Sequence, residues 1–369
     1  MVNELFFIRA IACIGVVLIH AVSVTFGDFG IRENPNYPMV NAILFVLQIL
    51  LMFGTPMFIF ISEFVLAHRY KGKSPKGFMV KRIKYILIPY ISMGIFYSIF
   101  RADEQGVTSF DELLLSIVKT IFLGGYHGYF ILIIFQFYIL HFVFTRYIEG
   151  KFNPKYVIIS SILINVLYLG FFNFLTPMDV FGESNKFIDL FWNQLSVLPF
   201  LGWVAYFTIA YYCGQNFEAF KTSLKRYNKL VLISPFITGL GVLIMCYAGW
   251  LTPIQSKRVD MIFYTISVAF FLFYIAMKLK RIPKILVKVS QYSFGIYLLH
   301  PFFQIISSKV TFNEYSASSL VINIIFYLAI GILAPVICTI LLNKTKIGTF
   351  IIGKVGISNK TSKKQQAVA

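Results

Sequence analysis

Apolar runs of about 20 residues recur along the whole of this chain, and a run that long spans a bilayer as a helix. Ten can be drawn, over residues 5–25, 41–67, 83–100, 127–146, 155–175, 197–215, 230–250, 260–278, 290–309 and 317–343. The prediction is an all-α, polytopic integral membrane protein. Composition agrees: 58% of the 369 residues are hydrophobic and 13% are charged, against roughly 25% charged in an average soluble domain. With 41 Phe and 22 Tyr, the chain carries more apolar surface than one soluble core hides. A cytosolic globule, a disordered chain, a coiled coil and a collagen-like fibre are excluded.

The formal net charge is +18, from 33 basic and 15 acidic residues. In a soluble protein that excess would suggest nucleic acid. Here the basic residues sit between apolar runs, where they orient a chain in a membrane, and no nucleic-acid partner is expected. Arg69, Lys71, Lys73, Lys76, Lys81 and Arg82 crowd residues 68–82, and residues 216–229, 278–289 and the stretch from Lys344 onward are basic too. The alternate connections are acidic: Asp28 and Glu33 in 26–40, four acids in 101–126, three in 176–196. By the positive-inside rule the basic set faces the cytoplasm, so both termini are expected there, as an even number of spans requires.

The polar stretches are too short for a soluble catalytic domain, so any chemistry must use groups in the spans or short loops. Residues 1–345 are read as one membrane domain, and 346–369 as a basic cytoplasmic tail expected to be disordered. The first span lacks a basic segment ahead of it and a cleavage site after it, and is read as retained. Cys13, Cys213, Cys246 and Cys338 lie in apolar stretches without metal-ligand spacing, so neither a disulfide frame nor a zinc site is expected.

Ionisable residues inside spans are costly and commonly functional. Arg9 and His20, 11 residues apart on the first span, share a helix face and stand about 16 Å apart along its axis. The expected orientation puts Arg9 near the cytoplasmic end, placed to bind a phosphate or carboxylate. His20 lies deep in the membrane, placed to take a proton from a sugar hydroxyl. The structural alternative is a snorkelling Arg and a His bonded to a backbone carbonyl. Ser290, Ser293, Tyr297 and His300, at intervals of 3, 4 and 3, form a polar stripe that either serves a site or joins helices. Pro301 next to it frees a backbone carbonyl. Glu63 is expected either to pair with Arg9 or to reach water. His141 is expected to be structural and His68 to be solvated; His127, in GGYHGYF at an outer mouth with flexible glycines, is expected either to touch a substrate or to be solvated. Trp192 and Trp203 are candidates for sugar stacking. Lys81, Arg82 and Lys84, in VKRIKYILIPY, either anchor head groups or dock a phosphate-bearing donor.

FIRAIACIGVVLIH resembles the Arg-x10-His signature of the membrane acyltransferase-3 family, and KRIKYILIPY and SQYSFGIYLLHP resemble later motifs of that family in the same order. The resemblance covers residues 1 to 345. Within the family, FGTPMFIFIS, KRIKYILIPYI and GYFILIIFQFYIL look closest to proteins tied to poly-N-acetylglucosamine, a biofilm polysaccharide. The resemblance implies transfer of an acyl group, acetyl or succinyl, from cytoplasmic acyl-CoA to a hydroxyl of a surface polysaccharide or lipid-linked glycan, in the cell membrane. Arg9 and His20 map onto the family's essential pair. Arg82 maps onto the first basic residue of its Arg-x-x-Arg motif, with Tyr85 in the second position and Lys84 beside it. Ser62-Glu63 stands where the family has Ser-Gly, so Glu63 inherits no role.

Acyl transfer needs a base for the attacking hydroxyl and positive or hydrogen-bonding groups near the thioester. The expected roles are His20 as base, Arg9, Arg82, Lys84 and Tyr85 at the donor, and His300, Tyr297 and Ser293 at the acceptor or the oxyanion. Acyl-CoA enters as co-substrate, with no bound cofactor and no metal. Direct transfer and an acyl-histidine intermediate both remain open. The chain, expected to lack the esterase-like domain of some relatives, acts alone or with a partner such as a polysaccharide synthase. The rival readings are an exporter of the same polysaccharide and a scaffold in which the histidines are dispensable.

Overall fold

Long apolar runs rich in Leu, Ile and Phe leave the backbone one way to satisfy its N–H and C=O groups without water, which is to bond them within the segment. The computed structural model describes residues 3–29, 38–70, 77–251, 255–309 and 316–354, and these are helical with no strand among them. The helices are α1 (Asn3–Phe29), α2 (Pro38–Leu51), α3 (Gly54–Tyr70), α4 (Phe78–Arg82), α5 (Ile88–Phe100), α6 (Phe110–Phe122), α7 (Phe130–Tyr147) and α8 (Pro154–Phe174). After them come α9 (Pro177–Phe181), α10 (Lys186–Val197), α11 (Val204–Gln215), α12 (Phe217–Arg226) and α13 (Asn228–Tyr247). The last four are α14 (Met261–Lys278), α15 (Lys284–Ser307), α16 (Ala317–Leu342) and α17 (Gly348–Ile351). The predicted Lys71, Lys73 and Lys76, Glu33, and the tail beyond residue 354 lie outside the described residues.

Each predicted span coincides with helix. Among the described residues, eight helices are long and apolar enough to cross a membrane, or nine if α10 and α11, bent by 42° at their junction, count as one span. The predicted span 290–309 falls on α15, which is not among them. Its polar stripe, with Gln291 and Gln304, dilutes the apolar character while leaving the length intact. The predicted span 41–67 is two helices, broken at Met52–Phe53. Gly54 restarts the chain where a Cβ would stand 2.6 Å from Val16 Cγ2, so only glycine lets α3 begin this close to α1.

Between Arg82 and α5 one π-helical turn, Ile83–Leu87, is inserted. Pro89 explains it. Proline has no N–H for the carbonyl four residues back, that of Tyr85, and a π turn absorbs the mismatch.

In the packing, α1 contacts α15, α16, α3 and α14, and α3 packs along α11, which in turn contacts α8. The outermost helices leave large apolar side chains uncovered, among them Ile159, Leu163 and Leu167 on α8 and Phe236, Ile237 and Leu240 on α13. Lipid is the solvent that suits such faces.

Three expectations are corrected here. Glu63 does not pair with Arg9. It accepts a 2.7 Å hydrogen bond from His141 Nδ1 on α7, and both side chains are buried. His68 is not solvated in a loop. Because α3 continues to Tyr70, His68 packs on Phe64 and Phe217 and its Nδ1 lies 3.2 Å from the Gly214 carbonyl. The structured part of the chain also runs past residue 345. Helix α17 lies against α5, where the Ser92 hydroxyl donates to Phe350 O at 3.3 Å.

The buried Glu63–His141 bond gives a stability prediction. Removing one partner leaves the other buried and short of a bond, which costs about 1–3 kcal/mol. His141→Leu alone should therefore lower the thermal midpoint of the detergent-solubilised protein. The double variant Glu63→Met, His141→Leu should recover most of the loss, as unfolding scans of purified protein would show.

Candidate functional site

The site grows from Pro301, inside α15. Lacking an N–H, proline leaves the carbonyl of Tyr297, four residues back, without its helical partner. Two imidazoles satisfy it: His127 Nε2 and His300 Nδ1 each lie 3.0 Å from Tyr297 O. His300 Nδ1 also lies 2.9 Å from Ile296 O. One residue on, the Tyr97 hydroxyl of α5 enters the opened helix, donating to Leu298 O at 3.0 Å and accepting from Phe302 N at 3.2 Å.

These bonds set the tautomers. A nitrogen that bonds a carbonyl must carry the proton, so in the neutral rings His127 Nε2 and His300 Nδ1 are donors. His300 Nε2 is then a bare acceptor, and it is buried without a partner. His20, on α1, completes the cluster: its ring centroid is 5.0 Å from that of His300, and His300 is 5.6 Å from His127. Among the described residues no three His, Cys, Asp or Glu side chains converge as a metal site.

The segment holding His127 is shaped by tight aromatic packing. The Tyr126 hydroxyl donates to Tyr90 O at 2.7 Å, and its ring stacks on Tyr90 and Tyr97. Gly128 has to be glycine, because a Cβ there would stand 2.1 Å from Tyr126 Cζ. The Tyr297 hydroxyl donates back to the His127 carbonyl.

His20, His127 and Tyr297 line a cavity of about 470 Å³. Its walls are Ser23 and Val16 of α1, Thr55 of α3, Asn193 and Gln194 of α10, and Gln255, Ser256 and Lys257 between α13 and α14. Of these, Asn193 and Gln194 belong to the 176–196 connection expected opposite the basic ones. Arg9 faces elsewhere. It lines a second cavity, of about 170 Å³, with Arg82, Ser62, Tyr138, Phe58, Phe130 and Phe294. Among the described residues no carboxylate pairs with Arg9 or Arg82. The Arg82 guanidinium instead lies over the rings of Phe78 and Tyr138, at 4.8 and 4.9 Å. Phe130, on the wall of the Arg9 cavity, also touches Tyr297 of the other: its ring centroid is 5.9 Å from Phe58 and 5.6 Å from Tyr297.

The structure thus brings together His20, Tyr297 and His300, and separately Arg9 and Arg82. Ser293 is buried and lines neither cavity. Lys84 points its ammonium over Tyr85 and Phe350, 5.4 and 5.2 Å from the ring centroids, and neither Lys84 nor Tyr85 lines the Arg9 cavity. Two residues from Arg82, Lys84 already points about 200° away around a regular helix, and Tyr85 falls within the π turn. His300 and Tyr297 present no spare donor: the His300 Nδ1–H and the Tyr297 hydroxyl are both committed to backbone carbonyls. They hold the site together, and an oxyanion would have to find its donors among the other vestibule groups. Trp192 packs against Phe171 and Phe172, and Trp203 is buried with its Nε1 donating to Val197 O at 2.8 Å, so neither offers a face for a sugar.

Sequence reasoning left His127 between touching a substrate and facing solvent, favoured solvent, and did not foresee its place in the histidine cluster. The signal was present in GGYHGYF, since two glycines before and one after a His–Tyr pair permit close approach rather than mere exposure.

Comparison with known proteins follows the same line. The Acyl_transf_3 family, described as "Acyltransferase domain", matches residues 2–343. A Bacillus subtilis protein named membrane-bound acyltransferase YfiQ is 35% identical over 96% of this chain and 95% of its own. A Staphylococcus aureus protein named for poly-beta-1,6-N-acetyl-D-glucosamine export is 28% identical over 95% of each chain. A Staphylococcus epidermidis protein of the same name is 27% identical over 95% of this chain and 94% of its own. No solved structure matches.

The two cavities make a labelling prediction. With the four native cysteines replaced, Ser256→Cys should react in intact cells with a membrane-impermeant maleimide. Val65→Cys, which lines the Arg9 cavity, should react only after permeabilisation. The reverse pattern would invert the expected orientation of the chain.

Proposed function

The chain belongs to the acyltransferase-3 family of membrane acyltransferases, and from that premise we propose that it moves an acetyl or succinyl group from cytoplasmic acyl-CoA to a hydroxyl of a surface polysaccharide such as poly-N-acetylglucosamine, in the cell membrane. One observation carries the reading. A single helix, α1, holds an uncompensated arginine in a cavity at one end and a histidine in a polar vestibule toward the other. Transfer across a membrane between a phosphate-bearing donor and a hydroxylic acceptor needs those two groups on those two sides.

In this mechanism Arg9 and Arg82 hold the phosphates of the donor, which are polyanionic and suit guanidinium forks. The thin pantetheine arm carries the thioester past Phe58, Phe130 and Tyr297 toward His20, a rise of about 16 Å along α1. The acceptor occupies the vestibule. In the neutral His20 ring one nitrogen carries the proton and the other is unprotonated and able to accept. That nitrogen takes the proton of the attacking hydroxyl as the new C–O bond forms. The tetrahedral intermediate then collapses, the C–S bond breaks, and the imidazolium returns the proton to the departing thiolate. The Thr55, Ser256 and Tyr129 hydroxyls border the same space and are the groups from which an oxyanion would draw hydrogen bonds. An acyl group held transiently on His20 is compatible with the same geometry.

Two relatives are named for export, which keeps an exporter as the second reading. Against it stands the aromatic lining contributed by Phe58, Phe130 and Phe294 around Arg9, which offers few polar groups to a polysaccharide.

The test compares cells carrying the intact protein with cells carrying His20→Ala at matched membrane levels. Base removal should lower ester-linked acyl groups on the surface polysaccharide by about 10²-fold or more while secreted polymer persists. Unchanged ester content per polymer with a collapse in secretion would establish the exporter instead. Arg82→Ala should act differently, raising the acyl-CoA concentration needed for half-maximal transfer more than it lowers the limiting rate.

A further inference from the structure

We propose that Lys257 sets the charge of the acceptor: the vestibule takes sugars that are neutral or anionic around the reacting hydroxyl and rejects those that carry a protonated amine there. This rests on the reading of the vestibule as the acceptor site.

Among the described residues that line the vestibule, Lys257 is the charged side chain, His20 and His127 aside, and no carboxylate accompanies it. Its Nζ donates to the Ser196 hydroxyl at 2.6 Å, a neutral partner. Burial lowers its pKa from the ordinary lysine value. Asp260, three residues along the chain, is engaged elsewhere: Arg258 meets it with Nε at 3.0 Å and Nη2 at 2.5 Å.

Lys257 is also held in place. The Asn173 side chain clamps the backbone on either side of Arg258, donating to Lys257 O at 3.3 Å and accepting from Val259 N at 2.9 Å. The Arg258 Nη2 donates to Val242 O at 3.0 Å as well, tying the segment to α13. A solvent-facing lysine swings away from an approaching cation, but this one has its backbone fixed and its ammonium seated on Ser196. A half-desolvated positive charge that cannot retreat repels a second one strongly. A glucosamine unit with a free amine brings such a charge, and an N-acetylated unit does not.

The experiment uses the full-length protein in nanodiscs at about pH 6.5, where a sugar amine is protonated. Two β-1,6-linked glucosamine oligomers of equal length serve as probes, one N-acetylated and one with free amines. Binding of each labelled oligomer and acyl transfer to each from acetyl-CoA are both measured. The wild type should prefer the N-acetylated oligomer at least tenfold in binding and in kcat/KM. Lys257→Gln should shrink the preference, and Lys257→Glu should reverse it, with the change in KM rather than kcat.

Lys257→Met, which keeps the length and the apolar stem, controls for packing and should behave as Lys257→Gln does. An unchanged preference in all three variants overturns the proposal, as does failure of the wild type to bind either oligomer. Binding that follows the predicted order without any acyl transfer would leave the charge selection standing and overturn the enzymatic reading alone.

Discussion

A proline that deprives one carbonyl of its partner organises the centre of this protein. At Pro301 the ladder of α15 opens, and an unpaired carbonyl inside a membrane protein costs several kcal/mol if nothing answers it. What answers it is a set of polar side chains from other parts of the chain. His127 and His300 donate to Tyr297 O, and the Tyr97 hydroxyl bridges Leu298 O to Phe302 N. Each polar group is thereby aimed by the backbone it satisfies, and His20 meets rings that are already fixed. The cost of the break is small because the repair and the site are the same set of bonds.

The rest of the architecture separates two environments along α1. Near Arg9 the neighbours are aromatic faces and a second guanidinium, a setting that receives anions because no carboxylate competes. Near His20 the neighbours are hydroxyls, amides and imidazoles. Charge and hydrogen bonding act more strongly in both than in water, since the surrounding dielectric is low. The proposed chemistry assigns one substrate to each.

Much of this was legible in the sequence, for identifiable reasons. The spans are periodic and long, so α1, α3, α8, α13 and α16 lie where the apolar runs lie. Arg9 and His20 stood out because ionisable groups in an apolar run are conspicuous, and their 11-residue spacing puts both toward the helix interior, as the two cavities require. The sequence was less informative where partners come from distant segments. Nothing local ties Glu63 to His141, 78 residues away, or sends Tyr97 into a helix about 200 residues on. The polar stripe on α15 was visible, but helical phase alone does not separate Tyr297 and His300, at the cluster, from Ser293, which is buried against neighbouring helices. His127 was hidden by its glycine-rich surroundings, which look like an open loop and instead allow tight burial. Lys84 lies on the far side of the helix from Arg82, as a two-residue spacing already implies, and Tyr85 falls in a π turn that the spacing does not announce.

The ring contacts of Phe58, Phe130 and Tyr297 have one more consequence. The cavities of His20 and Arg9 lie along one helix, and a membrane potential of 100 mV drives each elementary charge across with about 2.3 kcal/mol. A duct wide enough for an acyl arm would short-circuit the cell if it stayed open. Phe130 lines the Arg9 cavity, and its ring lies 5.9 Å from Phe58 and 5.6 Å from Tyr297, which borders the other cavity. Under the proposed transfer, the ring contacts that let an acyl arm pass are therefore also the place where ion leakage has to be resisted.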